Sequence, residues 1–432
     1  MSGAKRRYAQ VGIGGRSRMY TDAIANRYKD SSEVVGMCDV NQGRMDFAKQ
    51  DFFPDGPDIP TYKAEEFDRM IAETKPDTVI VTTIDATHGK YIVRAMELGC
   101  DVVTEKPMTT DEVSCRKILE TIRRTGKTCQ VTFNYRYSPP RSQVREMLMD
   151  GIVGEILSVN YEYMLDTSHG ADYFHRWHRR RENSGSLLVH KATHHFDLVN
   201  WFIEDVPEEV FAFGSLRYYR PETAVRMGLA DRSERCLDCP VADRCHFYLD
   251  LRSNKYLEGM YLNCEDEDGY YRDSCVFSEK IDIWDTEALS VRYRSGALMS
   301  YILHNYCPLE GYKLSFNGSR GRLEHAAFEN TYISGDGTVP GQLQKHNTYT
   351  RLYREFGAPE EIEVWTSQGG HGGGDDPLVD DVFNPNPPAD PLKRKAGHRD
   401  GAYSILIGVA AYHSIDSGKP VKIADLLGDA PI

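Results

Sequence analysis

Several features that mark particular protein classes are missing from this 432-residue sequence. No run of apolar residues approaches 18, so a transmembrane helix is not expected. Positive charge is in deficit: 52 lysines and arginines stand against 65 aspartates and glutamates, a formal net charge of −13, with no long basic run. This balance argues against a general nucleic-acid or membrane-surface binder, although it is compatible with a small basic pocket for an anionic ligand.

The sequence also shows no export signal and no disulfide framework. The first fifteen residues contain Arg6-Arg7 but no apolar signal core, so the cytoplasm is the expected compartment. Ten cysteines in a chain of this length are too few for a disulfide scaffold. With 27% charged and 40% hydrophobic residues, the composition is that of an ordinary folded protein, and the length favours two domains.

The chain opens with a pattern typical of dinucleotide binding. A short predicted strand, residues 8–11, leads into a glycine turn and a helix, and a second apolar run, residues 34–38, ends at Asp39. Glycines permit a tight turn and close approach of a pyrophosphate, and a carboxylate at this spacing accepts hydrogen bonds from ribose hydroxyls, which favours NAD over NADP. Ser17 stands where the pattern usually has a third glycine. The predicted contacts from the turn are Gly12, Gly14, Gly15 and Arg16.

Strands and helices then alternate through the first third of the chain. Predicted strands at 78–81, 101–104 and 128–133 are separated by helical stretches of ten or more residues, which indicates a parallel, doubly wound sheet. In such sheets ligands bind beyond the carboxyl ends of the strands. The residues expected at or just after those ends are Thr83, His88, Glu105 and Lys106. We therefore predict an NAD-binding Rossmann domain over residues 1–133.

The pattern changes after residue 133. Longer strand candidates, such as residues 156–163 and 298–304, predict a second α+β domain over 134–432 with an open, mostly antiparallel sheet. A polar stretch at about 217–280 is expected to be an insertion. A proline-rich connection precedes a helix predicted at about 401–417.

These motifs resemble one family. They are the segment GIGGR, Asp39, the His88 loop, EKP at 105–107 and NYR at 134–136. Together they are similar to the motifs of the Gfo/Idh/MocA family of nicotinamide-dependent sugar and polyol oxidoreductases, to which glucose–fructose oxidoreductase and inositol dehydrogenase belong. The resemblance implies a carbohydrate or polyol substrate. It also implies a second-domain sheet that supports the substrate cleft and often mediates contacts in a homo-oligomer.

Six of the fourteen histidines fall between residues 169 and 195. His190, His194 and Asp197 are spaced as one face of a helix. A buried structural helix, a metal site and an acid–base site are all compatible with this spacing, although Lys191 replaces the glutamate of the HExxH zinc motif. In the family the pattern is Asp-x-x-x-His; its histidine matches His194, and His190 takes the place of the aspartate.

Oxidation of an alcohol carbon needs a base whose pKa lies near the working pH and a cation that stabilises negative charge on the oxygen. A histidine fits the first role and a lysine the second. The resemblance places His194 and Lys106 at the reacting centre in these roles, with His190 beside them.

Further polar residues are expected to contact the substrate. Arg136 matches a family position near the ligand, and the segments around residues 166–170 and 176–178 offer donors and one aromatic plane, Trp177. The predicted substrate contacts are Arg136, His169, Arg176, His178, Asp197 and His371. Packed or surface loops are the alternative for these segments.

His371 lies in GGHGGGDD, and similar segments occur in family members that act as NAD-dependent glycosidases. Glycoside cleavage by transient oxidation and elimination is therefore an alternative function. A non-catalytic sensor that only binds the nucleotide is a third.

Five cysteines cluster between residues 236 and 275. A C-x-x-C pair followed by further thiols makes a four-thiolate structural zinc site possible, and an iron–sulfur cluster or free reduced thiols remain alternatives. The set Cys236, Cys239, Cys245 and Cys275 resembles a cysteine-rich insertion in a subset of the family. His246 and Cys264 are alternative ligands.

Overall fold

The computed structural model describes residues 4–329, 348–366, 370–430 and 432. Its first part alternates strands and helices. In chain order these are β1 (Arg6–Val11), α1 (Ser17–Asp22), β2 (Ser32–Asp39), α2 (Gln42–Phe52), β3 (Thr61–Lys63), α3 (Phe67–Thr74), β4 (Thr78–Val81), α4 (Asp85–Glu97), β5 (Asp101–Thr104), α5 (Glu112–Thr125) and β6 (Cys129–Val131).

The first sheet has the order β3-β2-β1-β4-β5-β6, and all of these pairs are parallel. Every residue of β4 is buried, as expected for a strand covered on both faces. Helix α5 is bounded by local signals: the Asp111 side chain accepts a hydrogen bond from the amide of Ser114, and Gly126 ends the helix in the left-handed conformation. The predicted doubly wound parallel sheet is confirmed.

The second part builds a larger sheet with helices on one face. Its elements are α6 (Pro139–Met149), β7 (Ile156–Asp166), α7 (Thr167–His175), α8 (Arg181–Ser184), α9 (Leu187–His190), α10 (Thr193–Ile203), β8 (Pro207–Ser215), α11 (Pro221–Arg226), α12 (Lys255–Met260), α13 (Glu265–Asp268), β9 (Thr286–Tyr293), β10 (Leu298–Cys307), β11 (Glu310–Gly318), β12 (Gly321–Glu329), β13 (Tyr349–Arg354), β14 (Glu360–Ile362), α14 (Gly370–Gly373), α15 (Asp375–Phe383), β15 (Ala396–Gly397), α16 (His398–Ser417), β16 (Val421–Lys422) and α17 (Ile423–Leu427).

The second sheet has nine strands in the order β14-β13-β12-β11-β7-β10-β9-β8-β16. Among its described strands, only β7 and β10 pair in parallel, which confirms the expected open, mostly antiparallel sheet. Along β10, buried residues alternate with more exposed ones, so one face packs inward. Helix α16 packs against β8 and α10 and begins at His398, slightly before the predicted start.

The chain returns to the first domain near its end. Strand β15 pairs antiparallel with β6, and Val379 and Phe383 of α15 join the core around Tyr8 and Tyr20. The sequence assigned all of 134–432 to the second domain, whereas these two segments complete the first. The return places residues after 370 beside the carboxyl ends of the parallel strands.

The helix expected to carry His190, His194 and Asp197 is divided in the structure. Helix α9 ends at His190 and α10 starts at Thr193. At the junction the amide of His194 bonds to the carbonyl of Lys191, three residues back, so the spacing of a regular α-helix is interrupted. Separately, none of the described helices has the length and apolar character needed to cross a membrane.

Candidate active site

A cleft of about 580 Å³ runs from the glycine turn of the first domain to the histidine-rich helices of the second. It gathers most of the residues predicted as functional. Those at its border are Gly12, Gly14, Gly15, Arg16, Asp39, Thr83, His88, Glu105, Lys106, His169, Arg176, His178, His190, His194 and His371. Arg136 and Asp197 are not among them.

The glycine turn is built for a close approach of two backbones. Gly12 has φ +86°, and a Cβ added there would lie 2.4 Å from the amide nitrogen of Thr83. The hydroxyl of Thr82 donates a hydrogen bond to the Gly12 carbonyl at 2.6 Å, which ties β1 to β4. At Gly14 an added Cβ meets only the Tyr261 hydroxyl, at 3.9 Å, so this side of the turn is open to the cleft. Such a cradle suits a dinucleotide pyrophosphate.

Carboxylates surround the end of β2. The Asp39 carboxylate accepts hydrogen bonds from the amides of Ile13, at 2.5 Å, and Asn41, at 2.9 Å, while burial raises its pKa. Arg44 forms an ion pair with Asp268 at 2.7 Å. Its Nε and Nη2 are buried without a hydrogen-bond partner among the described residues. The site therefore has both acceptors and spare donors for a ribose.

The polar insertion also reaches this site, which the sequence did not predict. The amide of Gly15 donates to the Tyr261 hydroxyl at 3.0 Å. The Glu267 carboxylate accepts hydrogen bonds from the amides of Gln42, at 2.7 Å, and Gly43, at 2.8 Å. The insertion therefore covers the glycine turn and the start of α2.

Lys106 lies at the carboxyl end of β5. Its Nζ donates to the His190 carbonyl at 3.1 Å and lies 3.4 Å from His190 Nε2. Burial lowers the pKa of Lys106 to about 8, against the attraction of Asp85 and Glu105. A lysine with this pKa is charged at neutral pH and loses its charge in mildly basic solution.

A further residue at this centre, Asp85, was missed by the sequence analysis. Its Oδ2 lies 2.6 Å from His190 Nδ1. Burial raises the pKa of Asp85 and lowers that of His190, with nearby Lys106 lowering the latter further. The histidine that replaces the family's aspartate thus has a carboxylate behind it, supplied by the first residue of α4.

His194 is held against Tyr135, with ring centroids 4.2 Å apart and planes 12° apart. Its Nδ1 is buried without a hydrogen-bond partner in the described part of the chain. Burial, followed by the charges of Lys106 and Lys191, lowers the pKa of His194 well below its usual value. The imidazole is therefore neutral near pH 7 and able to accept a proton.

His371 approaches this centre from the glycine-rich segment. Its ring centroid lies 6.3 Å from that of His194, and its Nδ1 lies 2.9 Å from Asp375 Oδ2. Asp375 also accepts from Asn134 Nδ2 at 2.7 Å. The predicted loop is therefore a tight turn that sets a second imidazole in the cleft.

Two predicted cofactor contacts are engaged inside the protein. His88 has Nδ1 2.7 Å from the Pro107 carbonyl and Nε2 3.0 Å from the Thr83 carbonyl, so it joins two strand-end loops. Glu105 accepts hydrogen bonds from Arg16 and from the Tyr20 hydroxyl, each at 2.6 Å. Both residues border the cleft, and their hydrogen bonds also hold together the segments that line it.

The side of the cleft away from the glycine turn mixes polar and aromatic groups. His169 pairs with Glu310 at 2.9 Å, and Arg176 pairs with Asp172 at 3.2 Å. Trp177 stacks on His178 with centroids 3.6 Å apart, and both border the cleft. Such a combination can cover C–H bonds and bind hydroxyls of a polyhydroxylated ligand.

Arg136 and Asp197, expected to contact substrate, are engaged with each other instead. Arg136 forms two hydrogen bonds to Asp197, at 2.8 and 2.6 Å, and one to Asp400 at 2.8 Å. Arg136 is 2% exposed and Asp197 1%, so neither reaches the cleft. Their role here is an internal ion pair between elements.

The four cysteines chosen as zinc ligands, Cys236, Cys239, Cys245 and Cys275, border one small cavity of about 20 Å³. Cys264 lies elsewhere, with its thiol 3.3 Å from the Gly259 carbonyl. Across residues 4–329, 348–366, 370–430 and 432, no group of three or more His, Cys, Asp or Glu side chains is arranged to hold a metal ion. Zinc binding stays a prediction.

Comparison with known proteins agrees with this architecture. Residues 6–133 match the profile described as oxidoreductase family, NAD-binding Rossmann fold, and residues 145–423 match that of the oxidoreductase family, C-terminal alpha/beta domain. The protein YteT of Bacillus subtilis is 38% identical over 418 residues, which cover 94% of this chain and 95% of YteT.

More distant similarity is found to two dehydrogenases, one by sequence and one by fold. An inositol 2-dehydrogenase/D-chiro-inositol 3-dehydrogenase of Lactiplantibacillus plantarum is 22% identical over 222 residues, 51% of this chain and 57% of that protein. The WlbA dehydrogenase from Bordetella pertussis, solved in complex with NADH and UDP-GlcNAcA, shares the fold with a TM-score of 0.63 at 16% identity, covering 98% of each chain. The two matching profiles show that this chain belongs to the Gfo/Idh/MocA family of oxidoreductases.

Proposed function

We propose that this protein transfers a hydride between NAD and a hydroxyl-bearing carbon of a sugar, a sugar derivative such as a 3-keto glycoside, or a cyclitol. The observation that carries this proposal is that Lys106 and a neutral His194 border the same cleft as the glycine turn, with the charge of Lys106 acting on His194. The names of relatives, an inositol dehydrogenase and a dehydrogenase bound to NADH and UDP-GlcNAcA, support the substrate class.

The residues present fit NAD better than NADP. Gly12, Gly14 and Gly15 would hold the pyrophosphate, and Asp39 would accept hydrogen bonds from the adenosine ribose. A 2′-phosphate would bring negative charge toward Asp39 and Asp268, and Arg44 is already paired with Asp268. When bound, the nicotinamide supplies the acceptor or donor of the hydride.

The chain's own groups handle the proton and the charge on oxygen. His194 takes the proton from the substrate hydroxyl in the oxidation direction, because its imidazole borders the cleft with Lys106 and is neutral near pH 7. The Lys106 ammonium stabilises the negative charge that grows on that oxygen. The Asp85–His190 pair, with the His190 carbonyl, holds Lys106 in place.

Two measurements test this proposal. Absorbance of NADH on mixing the protein and NAD with a panel of cyclitols, aldoses and glycosides should reveal oxidation, and Lys106→Met or His194→Ala should reduce the rate about a hundredfold or more. Exposed Lys313→Met serves as the matched control. NAD binding by the wild type, and its loss in Gly14→Trp, tests the cofactor; no binding at millimolar NAD would refute it.

A second candidate function is glycoside cleavage with recycling of NAD. It is favoured by the His371–Asp375 pair beside His194, since a second imidazole could protonate a departing aglycone. Release of aglycone from a nitrophenyl glycoside without accumulation of NADH would identify this reaction. NADH accumulating in step with oxidised sugar would contradict it.

We also propose a structural zinc ion held by Cys236, Cys239, Cys245 and Cys275. All four border one cavity, and the amides of Ser233 and Phe277 lie 3.4 and 3.5 Å from the sulfurs of Cys239 and Cys275. Elemental analysis should find one zinc per chain, lost in Cys236→Ser. Protein that is fully folded without metal would contradict this proposal.

A homo-oligomer formed through the open face of the second sheet is a further proposal. Phe213 on β8 and Leu298 on β10 are 69% and 54% exposed, and their strand registers place them on the same face. Light scattering after size exclusion should report an oligomer that Phe213→Glu dissociates. A wild-type monomer would contradict it.

A further inference from the structure

Two lysines at the reacting end of the cleft lack a carboxylate partner. Lys191 is 4% exposed, and its Nζ donates to the Tyr135 hydroxyl at 3.1 Å. The Lys106 Nζ donates to the His190 carbonyl at 3.1 Å and lies 3.4 Å from His190 Nε2. Neither ammonium forms an ion pair within the part of the chain that the structure describes.

The arginines around the same cleft are different. Arg16 pairs with Glu105 at 2.6 Å, Arg44 with Asp268 at 2.7 Å and Arg176 with Asp172 at 3.2 Å. Burying a charge without a partner is costly, so proteins pair such groups or reserve them for a ligand. The lysines are therefore the groups whose charge a ligand can balance.

Lys191 is fixed in place without being neutralised. Its Nζ lies 4.8 Å from the ring centroid of Tyr163, a cation–π contact, and 3.1 Å from the Tyr135 hydroxyl. An ammonium has three donors, and among the described residues only the one to Tyr135 is used. A buried carboxylate that influences it, Glu310, is occupied by His169 Nδ1 and the amide of Asp166, each at 2.9 Å.

The position of Lys191 links it to the chemistry. It lies between His190 and His194 in sequence, and Tyr135, to which it donates, stacks on His194. In the proposed function the Lys106 ammonium stabilises the negative charge on the reacting oxygen. Lys191 is therefore available to bind a second negatively charged group of the substrate, close to that oxygen. A single ammonium beside one phenol matches a carboxylate, because a phosphate dianion calls for more donors.

We propose that the substrate is a sugar acid whose carboxylate binds Lys191. This inference rests on the proposed function for the role of Lys106. It makes Lys191 the residue that determines specificity for acidic over neutral sugars.

The test compares acids with neutral counterparts. Enzyme loaded with NADH is titrated with D-glucuronate, D-galacturonate and D-gluconate against D-glucose, D-galactose and D-glucitol, with binding followed by calorimetry. At least one acid should bind about tenfold or more tightly than its neutral counterpart. Lys191→Met should abolish that difference, Lys191→Arg should keep part of it, and exposed Lys313→Met should keep all of it.

The outcomes that overturn the proposal are equal binding of acids and neutral sugars by the wild type, a preference that survives in Lys191→Met, or tighter binding of glucose 6-phosphate than of any acid. The wild-type comparison and Lys191→Arg remain decisive if Lys191→Met fails to fold. NADH formation is recorded separately with NAD. Preferred binding of an acid without turnover of any sugar would refute the oxidoreductase proposal alone, and oxidation of neutral sugars without a preference would refute this one alone.

Discussion

Burial sets the charge of Lys106 within the working pH range. Its pKa of about 8 means that the ammonium is present below that pH and is lost as pH rises through it. Because in the proposed function this charge stabilises the reacting oxygen, we expect kcat/KM for sugar oxidation to fall above about pH 8. A pH–rate profile from 6 to 10 checks this, and Lys106→Met should remove the fall along with most of the activity. If kcat/KM of Lys106→Met fell above pH 8 in the same way as that of the wild type, the assignment of this pKa to Lys106 would be contradicted.

We expect Asp85 to act on the proposed reaction through His190. With Oδ2 2.6 Å from His190 Nδ1, it fixes the side chain of the residue whose backbone carbonyl accepts the Lys106 hydrogen bond. Asp85→Asn should lower kcat about a hundredfold, as expected for a misplaced reacting group, while the KM for NAD stays constant. Asp58→Asn, at an exposed carboxylate, is the control.

A purely structural role for Asp85 predicts something else. Stability would fall, while kcat and its pH profile in the folded fraction would not change. Thermal unfolding of Asp85→Asn, measured beside its kinetics, separates the two roles.

The sequence indicated some of these residues and missed others for a physical reason. Lys106 and His194 lie in short local motifs, so their positions could be predicted. Asp85 meets His190 across 105 residues, and no local spacing signals that contact. Arg136 belongs to a recognisable motif, yet its side chain bonds to Asp197 and does not reach the cleft. Burying a guanidinium without a carboxylate partner is costly, so the ion pair determines where this side chain lies.

At the scale of elements, the insertion between β8 and β9 works as a cover for the nucleotide half of the cleft. The Glu267 carboxylate anchors it, accepting from the amides of Gln42 and Gly43 and pairing with Lys63 at 2.9 Å. Glu267→Ala should loosen this anchor and speed NADH dissociation severalfold, by the loss of about 1 kcal/mol of hydrogen bonding. Stopped-flow fluorescence of NADH release measures it.

The matched control for this experiment is Glu279→Ala, since Glu279 is exposed in the same insertion. Its NADH release rate should equal that of the wild type. Equal rates in Glu267→Ala as well would mean that the insertion does not restrain the nucleotide.

Sequence patterns predicted elements where the local pattern is clear. The apolar run of β4 and the helical stretch that forms α5 could both be predicted from the sequence. Strand β15 has only two residues and pairs with β6 from far along the chain, so it has no periodicity to detect. The break between α9 and α10 was missed because residues on both sides keep helical character.

At the scale of the molecule, the Arg136 ion pairs join the domains. Arg136 follows the last strand of the parallel sheet, Asp197 lies on α10 and Asp400 on α16, so one guanidinium ties both parts of the chain together. Burial raises the pKa of Asp197 to about 7 even beside Arg136, which shows how costly its charge is there. Removing the arginine would leave two carboxylates without their cation.

We therefore expect Arg136→Met to lower the free energy of unfolding by about 3–5 kcal/mol, whereas Arg351→Met, at an exposed pair with Glu361, should change it by less than about 1 kcal/mol. Calorimetry of both variants measures the difference. Because Arg136 does not border the cleft, the KM for sugar should be unchanged at a temperature where the variant is folded. A raised KM with unchanged stability would instead place Arg136 in contact with substrate, as the sequence motif suggested.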